Sequence, residues 1–194
     1  MTDPYDASIG LKFPKTEADV VTVSHQHSDH NAVKHIEGNP IVIDMPGDYE
    51  KNGIRITGFA SYHDNKKGAE RGENIVYKIE SEGIHILHCG DLGLIPDEKF
   101  IDEVGEVDVL MVPVGGFYTI DSTQAVELIK KIEPSLVIPM HYNREGLNPK
   151  IFEKVAPVTE FLKQVGAEGV VPVSKLTLKK EDLQGEMKVV VMEI

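Results

Sequence analysis

The chain has little of what stabilises a secreted protein or anchors one in a membrane. Its 194 residues include one cysteine, which cannot form an internal disulfide, and no tryptophan. Disulfides belong to oxidising compartments, so the cysteine content gives no sign of secretion. No apolar run reaches the roughly 18 residues that a membrane helix needs, and residues 1–10 lack the basic and apolar regions of a signal peptide. These absences predict a cytoplasmic protein.

Basic residues are also scarce. There are 20 Lys and Arg against 32 Asp and Glu, which gives a formal net charge of −12 at pH 7. Proteins that bind nucleic acid usually present a basic face, and anionic lipid surfaces attract basic segments, so the charge argues against both partners. The hydrophobic content of 41% is enough for a folded core, and the length favours a single domain over residues 1–194.

The pattern of apolar and turn-forming residues predicts an α/β protein in which strands dominate. Asn52-Gly53, between two strand-like runs, indicates a hairpin. Asp121 followed by Gln124 is a capping-box pattern at a helix start. Helices are predicted over residues 97–104, 121–133 and 158–165. Further strands are predicted over residues 20–24, 41–43, 74–79, 84–89, 107–114, 136–140 and 187–193.

Histidine is abundant, and four metal-competent side chains occur within six residues where the first predicted strand ends. The run is His25-Gln26-His27-Ser28-Asp29-His30. Imidazole nitrogen and carboxylate oxygen suit zinc, and also manganese or iron. A polar loop of solvated histidines is the better explanation of a lone histidine, but not of this density. The cluster is too dense for one tetrahedral ion, which favours two ions roughly 3.5–4 Å apart.

Other candidate ligands lie where later predicted strands end: His63, Asp91 and His141. Together with the first cluster they resemble the metallo-β-lactamase fold hydrolases, which carry H-x-H-x-D-H, a single His, G-D, and a His after an apolar strand. Within that superfamily the chain resembles the small cytoplasmic hydrolases that include L-ascorbate-6-phosphate lactonase-like proteins. The matching segments, from Asp3 to Asn143, are TDPYD, ADVVTVSHQHSDHN, GIRITGFASYHD, LHCGDLG, VPVGGFYTID and VIPMHYN.

This resemblance implies a fold and a metal centre. The fold would be an αββα sandwich of two mixed β-sheets with helices on the outer faces. Two Zn²⁺ ions per chain are expected, with Mn²⁺ or Fe²⁺ as alternatives, and coordination would lower the pKa of bound water toward about 7. If only one site were filled, Asp29 could accept a proton as a catalytic base. The implied ligands form two sets bridged by Asp91: His25, His27 and His63 on one ion, and Asp29, His30 and His141 on the other.

Several residues near these segments are candidates for supporting roles. Tyr118, Arg71 and Asn74 lie in or beside predicted loops on the site side and are candidate substrate contacts, although Arg71 could instead pair with neighbouring glutamates. His88 could either hydrogen-bond to a metal ligand or be a satisfied core histidine. Cys89 is expected to be a small buried apolar residue.

The start of the chain departs from the family pattern. Members usually carry strands and a hairpin before the aspartate–proline segment, whereas only Met1 and Thr2 precede Asp3 here. The first sheet is therefore expected to be shortened, and its exposed edge could be covered by a second copy in a homo-oligomer. The other explanation is a shortened sequence.

The leading functional hypothesis is a metal-dependent hydrolase that opens an ester, lactone, amide or phosphodiester bond of a small molecule. One alternative is a non-catalytic scaffold that binds metal or a ligand. Such scaffolds often lose ligands, and all seven are present here. The other alternative is a phosphodiesterase or nuclease of the same superfamily. A nuclease would need a basic surface or a clamp domain, for which the charge and length leave little room.

Overall fold

A computed structural model describes residues 1–193. The first half of the chain is almost entirely strand: β1 (Thr16–Glu17), β2 (Val20–Thr22), β3 (Ile36–Glu37), β4 (Ile41–Ile43), β5 (Gly47–Lys51), β6 (Ile54–Tyr62), β7 (Glu73–Ser81) and β8 (Ile84–His88). The second half alternates: α1 (Glu98–Val104), β9 (Val109–Pro113), α2 (Ser122–Ile132), β10 (Leu136–Met140), α3 (Pro149–Phe152), α4 (Val158–Gln164) and β11 (Lys188–Val189). Short 3-10 helices cover Ala7–Ile9, Val33–His35 and Lys180–Leu183.

Seven strands form one mixed sheet in the order β11-β10-β9-β8-β7-β6-β5. Strands β5 to β8 are antiparallel neighbours, whereas β8 to β11 are parallel. The predicted hairpin joins β5 and β6, and both Asn52 and Gly53 have positive φ, as its tight turn requires. Since β6, β8, β9 and β10 run in the same direction, their carboxyl ends lie along one edge of the sheet.

A smaller layer packs on the large sheet. β2 pairs with β4 and β1 with β3, both in parallel. Ile43 of β4 packs against Ile56, Ile75 and Tyr77 of the large sheet. The buried Tyr77 hydroxyl donates to the carbonyl oxygens of Ile43, at 2.9 Å, and Val23, at 3.1 Å. The shortened first sheet expected from the sequence is therefore present as these short strand pairs.

Helices α2 and α4 cover one face of the large sheet. Leu110 and Val112 of β9 pack with Leu128 of α2 and Phe161 of α4 in the main core. The predicted start of α2 is confirmed, because the Asp121 carboxylate accepts from the Gln124 backbone N–H and the Gln124 side chain accepts from the Asp121 N–H. No helix within residues 1–193 is long and apolar enough to cross a membrane.

The last predicted strand is shorter than expected. Residues 187–193 were predicted as one strand, but β11 contains only Lys188 and Val189. The Val190 N–H still donates to Val137 of β10, whereas the carbonyl of Val191 accepts from Val173. The backbone thus changes its pairing partner after Val190. This change depends on residues distant in the chain, so the local sequence does not predict it.

Candidate metal centre

The seven predicted ligands meet at the edge of the large sheet. His63 directly follows β6, Asp91 lies shortly after β8, and His141 directly follows β10. The remaining four ligands lie in the turns after β2, which reach the same edge because the β2–β4 pair packs on β6 and β7: His25, His27, Asp29 and His30.

Asp91 lies at the middle of the cluster with a histidine against each of its carboxylate oxygens. Its Oδ2 is 3.2 Å from Nε2 of His141, 3.3 Å from Nε2 of His63 and 4.0 Å from Nε2 of His25. Its Oδ1 is 3.4 Å from Nε2 of His30. The Asp91 carboxylate therefore lies between histidines of both predicted ligand sets, as a bridging ligand would.

Three groups of potential ligand atoms each lie within 4.8 Å of one another. Neighbouring groups share residues, as two adjacent cation sites would. The groups are His25, His27 and His63; His25, Asp29 and His30; and His30, Asp91 and His141.

The tautomers of two of these histidines follow from hydrogen bonds that lead to Asp3, a residue whose importance the sequence analysis missed: His30 bonds to it directly and His25 through Ser24. The Ser24 hydroxyl has one hydrogen, which it donates to the Asp3 carboxylate at 2.6 Å. Nδ1 of His25, 3.0 Å from that hydroxyl, must therefore donate to it. Nδ1 of His30 donates to Asp3 Oδ2 at 3.0 Å. With Nδ1 committed in this way, Nε2 of each ring faces the cluster, where it can bind a cation once it carries no proton.

His25 provides the clearest test of whether a cation fits this site. The side chain is buried, and its Nε2 has no hydrogen-bond partner within residues 1–193. A buried polar atom without a partner is costly, so its presence here needs an explanation. The unprotonated Nε2 is a donor for a divalent ion, and the surrounding imidazoles and carboxylates are the ligand types that zinc binds. These residues fit the implied metals.

Burial and the neighbouring charges within the cluster strongly shift the pKa values of its residues. Burial lowers the pKa of His25 to about 3, so its ring is neutral at physiological pH. Burial would also lower the pKa of His30, but Asp91 and Asp3 outweigh this effect and raise it to about 10. Burial would raise the pKa of Asp91, yet the facing His141 and His30 hold it well below its usual value. Asp91 is therefore an anion, able to balance positive charge.

Asn74 was expected to contact the substrate; the structure places it at the wall of a cavity of about 400 Å³ beside His27 and Arg71, with its side chain buried. It lies in β7, 0% exposed, because a residue at this position of the buried strand faces the protein interior. Its side-chain NH₂ donates to Ser61 Oγ and to the carbonyl of Cys89, and its Oδ1 accepts from the Asp91 N–H at 2.9 Å. Asn74 thus holds the backbone of Asp91 in place.

The other residues around Asp91 are also buried. His88 accepts a hydrogen bond from the Gly90 N–H through Nδ1 at 3.3 Å, so it supports the turn that leads to Asp91. Burial lowers the pKa of His88. Cys89 is buried, as expected for a small apolar residue, and burial raises the pKa of its thiol to about 12.

Two glycines allow the backbone to approach two of the ligands closely. A Cβ on Gly93 would lie 2.3 Å from the carbonyl carbon of His63, and one on Gly115 would lie 2.2 Å from the carbonyl oxygen of His141. Real Cβ contacts are never this short, so neither position accepts a side chain without a shift of the ligand. The positions of His63 and His141 therefore depend on these glycines.

The loop after His63 is ordered by Asp64, another residue that the sequence analysis did not single out. The buried Asp64 carboxylate accepts hydrogen bonds at 2.7–2.9 Å from the backbone N–H groups of Lys66, Gly68, Glu70 and Arg71. Burial would raise the pKa of Asp64, but these four donors outweigh it and lower the pKa to about 2. The loop therefore stays organised around a charged carboxylate at neutral pH.

Arg71 and Tyr118 lie beside the cluster, as predicted for substrate contacts. Both line a cleft of about 410 Å³ together with Asp29, His63 and Asp91. The guanidinium carbon of Arg71 lies 5.5 Å from the centre of the Tyr118 ring. Their contact with substrate stays a prediction, but the structure brings both residues to the metal ligands.

Comparison with known proteins identifies the family. A Beta-lactamase superfamily domain matches residues 1–141. A protein of Thermotoga maritima, named as a Zn-dependent hydrolase of the metallo-β-lactamase superfamily, is 40% identical; its crystal structure matches with a TM-score of 0.79 over 98% of this chain and 87% of that chain. This chain belongs to the metallo-β-lactamase superfamily. Its seven-stranded mixed sheet with few helices is the metallo-β-lactamase fold, as predicted.

Within the metallo-β-lactamase superfamily, the chain is similar to proteins named UPF0173 metal-dependent hydrolases. The relative from Thermococcus onnurineus is 28% identical over 186 residues, which cover 80% of this chain and 83% of the relative. The relative from Methanoregula boonei is 30% identical over 151 residues, which cover 66% of this chain and 68% of the relative. The predicted class of metal-dependent hydrolase is the class of this family, whereas the lactonase-like branch and the zinc ions stay predictions.

Proposed function

We propose that the protein is a dinuclear hydrolase that acts on an ester, lactone, amide or phosphodiester bond of a small molecule. The observation that carries the proposal is the buried, unpartnered Nε2 of His25 beside the Asp91 carboxylate. One ion would be held by His25, His27 and His63. The other would be held by Asp29, His30 and His141, with Asp91 between the two.

A bound pair of divalent ions supplies a water of lowered pKa and polarises the bond to be cleaved. The protein's own residues orient the ligands. Asp3 fixes the ring of His30 directly and that of His25 through Ser24, so each turns its Nε2 toward the cluster. Asn74 fixes the backbone of Asp91.

Asp29 is the proposed proton acceptor when it is not bound to metal. Its side chain is 26% exposed and lines the cleft, and its Oδ2 lies 3.8 Å from His30 Nε2. A carboxylate there can reach both a ligand site and the solvent-filled cleft. This position supports the dual role suggested by the sequence.

We propose zinc as the metal and a lactone or a related ester as the substrate, in line with the L-ascorbate-6-phosphate lactonase-like resemblance. Histidine nitrogen and carboxylate oxygen suit Zn²⁺, and the similar protein from Thermotoga maritima is named as Zn-dependent. Manganese and iron accept the same ligand types, so metal content decides between them.

The test is to measure metal content and turnover on the same preparation. Protein reconstituted with Zn²⁺, Mn²⁺ or Fe²⁺ is analysed by elemental mass spectrometry and assayed on lactone, aryl ester, amide and phosphodiester reporters. We expect about two ions per chain and chelator-sensitive hydrolysis of at least one reporter. Fewer than one ion per chain after metal loading would contradict the dinuclear site. Two ions without turnover of any reporter would favour a metal-binding scaffold.

A further inference from the structure

We propose that Arg71, supported by the ring of Tyr118, binds an oxyanion of the substrate, a phosphate or a carboxylate, beside the metal centre. This inference rests on the proposed hydrolase function and specifies the chemistry of its substrate. It also gives Tyr118 a role as a platform for the arginine rather than as a hydrogen-bond donor to substrate.

The position of Arg71 is the first support. Its side chain lines the 410 Å³ cleft that contains His27, Asp29 and Asp91. It also lines a neighbouring cavity of about 400 Å³ that contains Gln26 and His27. The arginine therefore lies where these two cavities adjoin the proposed metal ligands.

The surroundings of the guanidinium are the second support. Tyr118 donates its hydroxyl to the carbonyl of Ile151 at 3.2 Å, which fixes the ring and uses the only hydrogen of that hydroxyl. The Arg71 guanidinium lies over this ring. A guanidinium stacked on an aromatic face keeps its N–H groups free at its edge, where they can bind carboxylate or phosphate oxygens in pairs.

The rigidity of the loop is the third support. The backbone N–H of Arg71 is one of the four that Asp64 binds, and the ends of the loop are joined by a hydrogen bond from His63 N–H to Gly72 O at 3.0 Å. An arginine on a loop that is already ordered loses little backbone entropy when an anion binds. The neighbouring Glu70 is paired with Lys66, so it has a cation of its own.

The negative charge around the cleft makes anion binding depend on bound metal as well. Asp29 and Asp91 line the same cleft, and the chain carries a net charge of −12, so an anion would be repelled by the metal-free protein. Divalent ions would neutralise these carboxylates. Anion binding should therefore depend on both the metals and Arg71.

The test uses isothermal titration calorimetry on zinc-loaded protein, with three small probes of similar shape: phenylphosphonate, benzoate and the neutral benzamide. Zinc content is measured on each sample. The variants are Arg71→Met, Arg71→Lys, and the control Lys67→Met, which removes one positive charge from an exposed position in the same loop. None of these changes touches a proposed metal ligand.

We expect Arg71→Met to weaken the binding of at least one anion about tenfold, the loss expected for a paired charge-assisted contact. Arg71→Lys should recover part of the affinity, because it keeps the charge but not the planar fork. Lys67→Met should change affinity by less than about twofold, and benzamide binding should not respond to any variant. A loss confined to phenylphosphonate assigns a phosphate substrate, and a loss confined to benzoate assigns a carboxylate.

Two results would overturn the inference while leaving the proposed function intact. One is unchanged anion affinity in Arg71→Met with zinc content also unchanged. The other is an equal loss in Lys67→Met, which would show a general effect of charge. If the wild-type protein retains no zinc, the proposed function fails, and this inference fails with it.

Discussion

Strand β8 has a group of potential metal ligands at each end, and the two groups differ in how their charge is balanced. At its carboxyl end, Asp91 is surrounded by imidazoles. At its amino end, His85, Glu106 and Asp108 also place ligand atoms within 4.8 Å of one another. There, the Lys180 Nζ lies 2.7 and 2.8 Å from the two oxygens of Asp108.

The two groups show that residue type alone does not define a metal site. The Lys180 ammonium already occupies the position of a cation at Asp108, and the backbone N–H of His85 donates to Asp108 at 2.8 Å. Asp91, by contrast, faces only histidine nitrogens among the basic groups of residues 1–193, and one of those, Nε2 of the neutral His25, has no hydrogen-bond partner. A lysine satisfies the first group, whereas a divalent cation fits the second.

Removing the central carboxylate should have the largest effect. Asp91→Asn keeps the shape but not the charge, so we expect zinc content to fall from about two ions to one or fewer per chain. Turnover should fall by more than the roughly 10–100-fold typical of residues that only support a ligand. Elemental analysis and the reporter assay measure both effects. The matched control is Asp108→Asn at the other end of β8, which should keep its zinc. Full zinc content in Asp91→Asn would contradict the claim that the carboxyl-end group, unlike the group at the amino end of β8, binds metal through Asp91.

Asp3→Asn should have the next largest effect. The Asp3 carboxylate accepts hydrogen bonds from the Ser24 backbone N–H, the Ser24 hydroxyl and His30 Nδ1. An asparagine has one acceptor oxygen instead of two and cannot accept all three bonds in this arrangement. The rings of His25 and His30 therefore lose their fixed protonation. We expect zinc affinity to fall roughly 10–100-fold, as measured by competition with a chromogenic chelator. The neighbouring Asp6→Asn is the control, because Asp6 caps the short helix at Ala7–Ile9 instead. An unchanged affinity in Asp3→Asn would mean that His30 is oriented without it.

At the amino end of β8, loss of charge should affect stability rather than metal content. Burial would raise the pKa of Asp108, but Lys180 and the His85 N–H lower it below 3.8. A carboxyl with a lowered pKa stabilises the fold above its unfolded-state pKa and loses this contribution as the pH falls through the folded-state value. Asp108→Asn should therefore cost about 1 kcal/mol at pH 7. In urea unfolding of metal-free protein, this cost should shrink as the pH falls below about 4. A cost that stays constant down to pH 3 would contradict the assignment.

Lys180→Met should have the smallest effect and tests the comparison most directly. The Lys180 side chain is 45% exposed, so its removal should cost less than about 1 kcal/mol in urea unfolding. The zinc content should remain at about two ions per chain. A third tightly bound ion would show that Lys180 only blocks a metal site at His85. The two ends of β8 would then not differ in their capacity to bind metal.

The sequence predicts which residues meet in the carboxyl-end group because their signals are local. The spacing of His25, His27 and His30 is visible within six residues, and His63 and His141 directly follow recognisable strands. Strands that run in the same direction bring such residues to one edge. The helix cap at Asp121 and the turn at Asn52 are equally local.

The supporting residues could not be predicted in the same way, because their partners are distant in the chain. Asp3 binds Ser24, which is 21 residues away, and Asn74 binds the backbone of Asp91, 17 residues away. Asn74 did carry one signal of this supporting role. It begins a predicted buried strand, and a buried amide must find hydrogen-bond partners inside the protein. Which partners it finds depends on the tertiary fold.

The loop that carries Arg71 closes on itself, with the His63 N–H bound to Gly72 and with Asp64 binding four of its amides. Apart from Gly68, where a Cβ would lie 2.9 Å from the Gly72 carbonyl oxygen, side chains at residues 65–71 can therefore change in evolution without displacing His63 from the sheet edge. With the role proposed for Arg71, selection can act on the choice of substrate through this loop while the predicted metal ligands keep their positions. A family built in this way can diversify its substrates one loop at a time.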